Sequence, residues 1–302
     1  MMRRSLLPLL LGAVMLPAAM DSAHANPFSA SNPSHGFLER REIPNLNSAA
    51  FVVANHRTGE VISEHNGNRV MPIASLTKLM TALVVLDANL RLNETLTVTN
   101  ADIDRIKGTG SRLAIGSRLS RAEMLHIALM SSENRAASAL GRNYPGGLRA
   151  FVEAMNAKAR MLGMWNTHYA DSTGLNPRNV STAQDLAKLA VAASAYPLIR
   201  QYSTDDQSYV RTNKNQLHYR NSNRLVREGQ WEFTLSKTGY IREAGRCLVL
   251  GTKVHNEPVI MVLLNAETTN DRVADAKRIK TWLESSGRTT LASTQSAMLT
   301  NQ

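Results

Sequence analysis

A chain of 302 residues with 43% hydrophobic content can bury one large core, or two subdomains that share one, and is not a disordered composition. Its formal net charge of +11 suits a solvated basic surface or an anionic polymer as partner. No nucleic acid is expected, because the basic residues are scattered rather than clustered with aromatics, and the one cysteine, Cys247, excludes an intrachain disulfide.

Residues 1–25 read as a signal peptide rather than as part of the fold. Arg3 and Arg4 precede an apolar run from Leu6 to Met20, which Pro8 and Pro17 interrupt and which is short for a membrane span. Ala23-His24-Ala25 is a small-x-small cleavage site. Cleavage after Ala25 is expected, with export to the periplasm and no transmembrane anchor in the mature chain. Residues 26–44 are a flexible lead-in by their turn-forming composition.

A catalytic-sized domain is expected over 45–287. Ala49–Ala54 reads as a buried strand, His56–Gly59 as a turn and Glu60–Glu64 as the returning strand of a hairpin. From Ser75, the apolar residues Leu76, Leu79, Met80, Leu83, Val84 and Leu86 recur at helical spacing, which predicts a central, largely buried helix. Ser75 and Lys78, at i and i+3, share one face of its first turn. A helical lobe of about 98–199 follows. Ser120 and Glu123 form a capping box, and Ser132-Glu133-Asn134 falls between that helix and one over Arg135–Leu140. Gly147–Leu162 is helical up to Gly163, and Thr182 with Asp185 caps a helix that stops at Tyr196-Pro197.

The last third returns to strands over Trp231–Lys237, Cys247–Val254 and Val259–Leu264. In the second of these, Cys247 reads as a buried small hydrophobe rather than a nucleophile. Asp271 then caps a closing helix with Val273, Ala276, Ile279, Trp282 and Leu283 on one face, and 288–302 is a polar tail. The order predicts an α+β fold. A five-stranded antiparallel sheet is flanked by helices, an all-helical lobe sits beside it, and the cleft between them is the candidate active site.

Three short motifs would meet at that cleft: Ser75-Leu76-Thr77-Lys78, Ser132-Glu133-Asn134 and Lys237-Thr238-Gly239. A serine hydroxyl is a poor nucleophile until a base removes its proton. Lys78 can be that base only when neutral, and burial with a neighbouring cation such as Lys237 would lower its pKa. Ser132 can relay a proton to a leaving amine, and Asn134 can bond Lys78 and a substrate backbone. Glu133, between them, is expected to point away. Lys237 and Thr238 suit a carboxylate, and Gly239 leaves the strand edge open to an extended peptide.

Each motif alone has a plainer reading, as an N-cap serine with a snorkelling lysine, a polar turn, or the end of a strand. In this order on an exported chain, they favour serine acyl transfer. Asp171-Ser172-Thr173-Gly174-Leu175 reads as a structured turn without a base. The histidines lack metal-ligand spacing, and no phosphate-loop or dinucleotide glycine pattern occurs, so neither metal nor cofactor is expected.

The run from Pro72 to Lys78, Ser132-x-Asn134, the Ser172–Leu175 turn and Lys237–Gly239 together resemble the low-molecular-mass penicillin-binding D,D-peptidases, which share a fold with serine β-lactamases. The resemblance covers roughly residues 45–285. Met130–Ala137, followed by Tyr144-Pro145-Gly146-Gly147, looks most like the D-alanyl-D-alanine endopeptidase branch, often called penicillin-binding protein seven. The resemblance implies hydrolysis of D-alanyl cross-links in peptidoglycan. Ser75 would be the nucleophile and Lys78 the general base, with Ser132, Asn134 and Lys237 assisting. The backbone amides of Ser75 and Tyr240 would form the oxyanion hole, and β-lactam antibiotics would be covalent inhibitors.

The closest rival is a D-alanyl-D-alanine carboxypeptidase. The chain ends soon after the catalytic domain, without the added C-terminal domain and amphipathic anchor of such relatives, which leans toward the endopeptidase. A class A β-lactamase also needs a carboxylate to activate water, but Asp171 is the only acid between Trp165 and Val180. A non-catalytic peptidoglycan-binding module would not need the intact set of motif residues.

Overall fold

A computed structural model describes residues 43–299, with side chains described through Ser286. The expected signal peptide and nearly all of the lead-in lie outside the described residues. Strands β1 (Ala50–Asn55) and β2 (Val61–His65) form the first hairpin. The short strand β3 (Met71–Pro72) and a single 3₁₀ turn over Ala74–Leu76 lead into helix α1 (Thr77–Asp87). Nine of its eleven residues are buried, as the wide apolar face predicts.

Strands β4 (Thr95–Thr97) and β5 (Arg118–Ser120) pair with each other ahead of α2 (Arg121–Met130), α3 (Asn134–Arg142) and α4 (Gly147–Met161). The capping box is present: Ser120 Oγ accepts from the Glu123 N–H, and Glu123 Oε2 accepts from the Ser120 N–H. Strand β6 (Val180–Ser181) pairs with β3 and precedes α5 (Ala183–Ser194) and α6 (Pro197–Thr204). Pro197 both ends α5's run and opens α6, because a proline at the first helical position has no N–H to leave unsatisfied.

A hairpin of β7 (Gln207–Arg211) and β8 (Gln216–Arg220) has no counterpart in the sequence reading. Val210 and Tyr219 are its only fully buried residues, so the alternation is too sparse to register. After α7 (Arg224–Glu228) come β9 (Phe233–Ile241), β10 (Gly245–Val254), β11 (Glu257–Ala266) and α8 (Thr269–Leu299). Thr268 rather than Asp271 caps α8. Its hydroxyl accepts from the Asp271 N–H, while Asp271 Oδ2 accepts from the Thr268 N–H, a second capping box. The helical backbone also runs past Gly287 to Leu299, where the polar sequence carries little helix signal.

The five-stranded antiparallel sheet has the order β2-β1-β11-β10-β9, with Val52 opposite Val262, Val262 opposite Val249, and Val249 opposite Lys237. Its central strands carry the unbroken apolar runs Ala50–Ala54, Cys247–Leu250 and Val259–Leu264 because both faces are covered. Val52, Val249, Ile260 and Val262 pack toward α1, α5 and the helical lobe, while Leu248, Leu250, Met261 and Leu263 pack against Val273, Ala276, Ile279 and Leu283 of α8. The period-two alternation therefore sorts residues between two cores rather than between core and water. Strand β9 lies at the sheet's edge with Lys237 on the lobe-side face, the face it shares with Val249. Among the described residues, no helix is long and apolar enough to cross a membrane.

Candidate active site

Ser75 sits in the 3₁₀ turn just ahead of α1, on a backbone held from two sides. Ala74 has φ +47°, a left-handed conformation that costs a non-glycine residue about 1–2 kcal/mol. Thr77 Oγ1 donates to the Ala74 carbonyl at 2.8 Å, and Asn179 Nδ2 donates to Thr77 Oγ1 at 3.0 Å. Gly174, with φ +82°, lies so close that a Cβ there would stand 2.0 Å from Ala74 O. On the other side a Cβ at Gly239 would stand 3.0 Å from Ile73 O and 3.2 Å from the Ser75 nitrogen. Both glycines are therefore fixed by the close approach of this turn. For Gly239 that is a different reason from the open strand edge expected from sequence.

Lys78 is 1% exposed, and its Nζ reaches three oxygens: Ser75 Oγ at 2.8 Å, Asn134 Oδ1 at 2.8 Å and the Thr173 carbonyl at 2.7 Å. Three acceptors match the three protons of an ammonium, and a neutral amine would turn its lone pair on the Ser75 hydroxyl, the one partner of the three that can donate. Burial lowers the Lys78 pKa to about 7, against the opposing pull of Asp171, Glu133 and Asp104. The sequence reading gave Lys237 a share in lowering Lys78. In the structure burial is the first cause, and the two buried ammoniums repel each other, which disfavours the charged form of both. Lys237 is held well below the usual lysine range by burial first, then by Lys78 and Arg272.

Lys237 Nζ donates to Ser132 Oγ at 2.9 Å and to the Thr238 carbonyl at 3.0 Å. Ser132 has φ +62°, so the turn between α2 and α3 is strained where its hydroxyl meets Lys237. The Thr238 hydroxyl donates to Ser222 Oγ at 2.7 Å. Tyr240 follows Gly239 on the edge strand. Its ring is half exposed, with the Arg246 guanidinium 3.5 Å from its centroid. The fold thus brings Ser75, Lys78 and Asn134 into one hydrogen-bonded group and Ser132 and Lys237 into a second. Gly239 lies against the Ser75 backbone. A cleft of about 380 Å³, lined by Gly110–Arg112 and Ser131–Asn134, opens beside them.

Other contributors carried weaker signals. The Thr173 carbonyl is held on Lys78 by Asp171, whose carboxylate accepts from the N–H groups of Thr173, Gly174 and Asn176, from Thr173 Oγ1 and from Asn179 Nδ2. The sequence marks this segment as a turn, but a backbone acceptor has no side chain to reveal it. Thr109 Oγ1 accepts from Asn134 Nδ2 at 3.0 Å, and Lys107 pairs with Glu243 at 2.5 Å, joining the loop ahead of β5 to the β9–β10 turn. Cys247 is buried, and burial raises its thiol to about 11, so it is not poised as a thiolate. Among the described residues, no group of three or more histidine, cysteine or acidic side chains is arranged to hold a metal ion.

The chain is similar to several known proteins. A family model described as D-alanyl-D-alanine carboxypeptidase matches residues 38–268. The D-alanyl-D-alanine endopeptidase of Pseudomonas aeruginosa is 46% identical over 277 residues, covering 91% of this chain and 88% of that protein. The Escherichia coli K12 protein of the same name is 46% identical over 243 residues, covering 80% of this chain and 78% of its own length. The crystal structure of the Streptomyces K15 DD-transpeptidase superposes with a TM-score of 0.76 at 26% identity, over 80% of this chain and 99% of that one.

Proposed function

The chain belongs to the D-alanyl-D-alanine carboxypeptidase family of serine peptidases, and we propose that it works as a periplasmic D,D-endopeptidase on cross-linked peptidoglycan stem peptides. The observation that carries the reading is Lys78 Nζ, 2.8 Å from Ser75 Oγ and lowered to about pKa 7. The names of the 46%-identical relatives support the endopeptidase branch.

In the proposed cycle, Ser75 Oγ attacks the carbonyl carbon of a D-alanyl residue while Lys78 takes the hydroxyl proton. The backbone N–H groups of Ser75 and Tyr240 receive the developing oxyanion. The C–N bond breaks, and the proton passes from Lys78 through Ser132 to the leaving amine. The acyl group remains as an ester on Ser75. Water then attacks that ester, gives a proton to Lys78, and releases the peptide carboxylic acid. The proton returns to Ser75 Oγ. Lys237 and Thr238 hold a carboxylate on the leaving side, and Asn134 orients both Lys78 and the substrate backbone. A β-lactam enters the same first step and leaves Ser75 acylated.

The test incubates the mature protein and its Ser75→Ala variant with purified cross-linked muropeptides and with pentapeptide monomers, and follows products by mass. Loss of the dimer with the pentapeptide intact is the expected result. Trimming of the pentapeptide alone would make the enzyme a carboxypeptidase, and unchanged activity in Ser75→Ala would remove Ser75 as nucleophile.

A further inference from the structure

The middle residue of the Ser132–Asn134 turn bonds neither lysine, yet it is not a solvent-facing turn residue. Glu133 is buried, at 8% exposure. Its Oε1 accepts from Ser111 Oγ at 2.7 Å and from the Arg135 N–H at 3.2 Å, and its Oε2 accepts from the Tyr219 hydroxyl at a longer 3.4 Å. The partners come from separate parts of the chain. Ser111 lies in the loop ahead of β5, where its Oγ also accepts from the Leu113 N–H at 3.0 Å. Tyr219 lies in β8, fully buried, with the Arg112 guanidinium 4.0 Å from its ring centroid.

A carboxylate is costly to bury unless its oxygens are satisfied, so these bonds are a condition of its position. Its immediate neighbours are Ser132, in the left-handed conformation with its hydroxyl on Lys237, and Asn134, with Oδ1 on Lys78. A strained turn persists only where its surroundings over-determine it.

We propose that Glu133 is a positioning residue for the Ser75 reaction, its carboxylate tying the Ser132–Asn134 turn to Ser111 and Tyr219 so that both motif side chains meet their lysines. The inference rests on the reading of Ser75 and Lys78 given above. Glu133 also acts through its charge. Lys78 faces the carboxylates of Asp171, Glu133 and Asp104, all of which favour its protonated form, and Lys237 is the neighbouring cation. Removing the Glu133 charge therefore makes Lys78 easier to deprotonate.

Two variants separate bonding from charge. Glu133→Gln keeps an oxygen for Ser111 and the Arg135 N–H but loses the charge, whereas Glu133→Ala loses both. The measurement is the rate of acylation by a fluorescent penicillin over roughly pH 5–9, with thermal unfolding of each variant alongside. Glu133→Gln is expected to keep the plateau rate within about threefold and to move the acidic midpoint to lower pH. Glu133→Ala is expected to lose about tenfold or more of the plateau rate. An unchanged plateau in Glu133→Ala overturns the proposal. So does an equal fall in both variants with the midpoint unmoved, since that is the signature of lost packing alone.

Should Glu133→Ala fail to fold, Ser111→Ala decides, because it removes one hydroxyl from the carboxylate. A loss of about threefold or more supports the proposal, and an unchanged rate refutes it. Label appearing on Ser75→Ala is a separate failure, read on a different variant. It would refute the nucleophile, and with it the reaction that Glu133 is proposed to serve.

Discussion

Lys78 is poised between two demands, because burial favours the neutral amine while three carboxylates favour the ammonium. In the proposed cycle, that balance near pKa 7 sets the pH dependence of acylation. A base must be unprotonated, so the rate rises with pH through the folded-state pKa and levels above it. Acylation of the wild type by a penicillin should fall about tenfold per unit below roughly pH 6 and reach a plateau above about pH 8, as followed by rapid-quench labelling. A flat profile over that range would remove Lys78 as the base. At the same scale, Gly174→Ala meets both a positive φ and a 2.0 Å approach to Ala74 O. Its acylation rate should drop at least about a hundredfold, since a misplacement of about 1 Å near the chemistry costs that much. A rate within tenfold of wild type would show that the Ala74–Ser75 backbone tolerates displacement.

Elements matter here for where they end. Ser75 lies in a 3₁₀ turn at the head of α1, Ser132 in the turn between α2 and α3, and Lys237 on the edge strand β9, so three separate pieces of secondary structure present one motif each. The fourth wall is the Asp171 turn. Five hydrogen bonds converge on that carboxylate, and the turn they close delivers the Thr173 carbonyl to Lys78. Asp171→Ala should cost about 3 kcal/mol or more in urea unfolding and slow acylation in the same variant. Normal acylation in a destabilised Asp171→Ala would mean that Lys78 does not need Thr173.

The motif residues and the main strands and helices were legible in the sequence because each carries a side-chain or periodic signal. Other features were not. The Thr173 acceptor is backbone, the β7–β8 hairpin buries too few residues to show alternation, and Glu133 resembles any polar turn residue until Ser111 and Tyr219 arrive from distant segments. The same limit explains Asp271, which satisfies either role in a capping box until Thr268 is seen to hold the cap.

At the scale of the whole molecule, the sheet divides the core into two layers with different duties. The lobe-side layer contains α1 and the face of β9 that carries Lys237, so its packing sets the distances between the motifs. The outer layer joins β10 and β11 to α8, and it meets the motif elements at Phe233, at the start of β9 and four residues before Lys237. Stability and catalysis should therefore separate by layer. Ile279→Ala in α8 and Leu79→Ala in α1 each open a cavity under a fully buried side chain, and each should cost about 2–5 kcal/mol. Only Leu79 supports the helix that holds Lys78, since it adjoins that residue in α1. Under conditions where both variants remain folded, Leu79→Ala should lose about tenfold in penicillin acylation, while Ile279→Ala should stay within about twofold of wild type. The comparison requires urea midpoints and acylation rates on the same preparations. If Ile279→Ala slows acylation as much as Leu79→Ala, strain passes freely through the sheet, and the two layers act as one core.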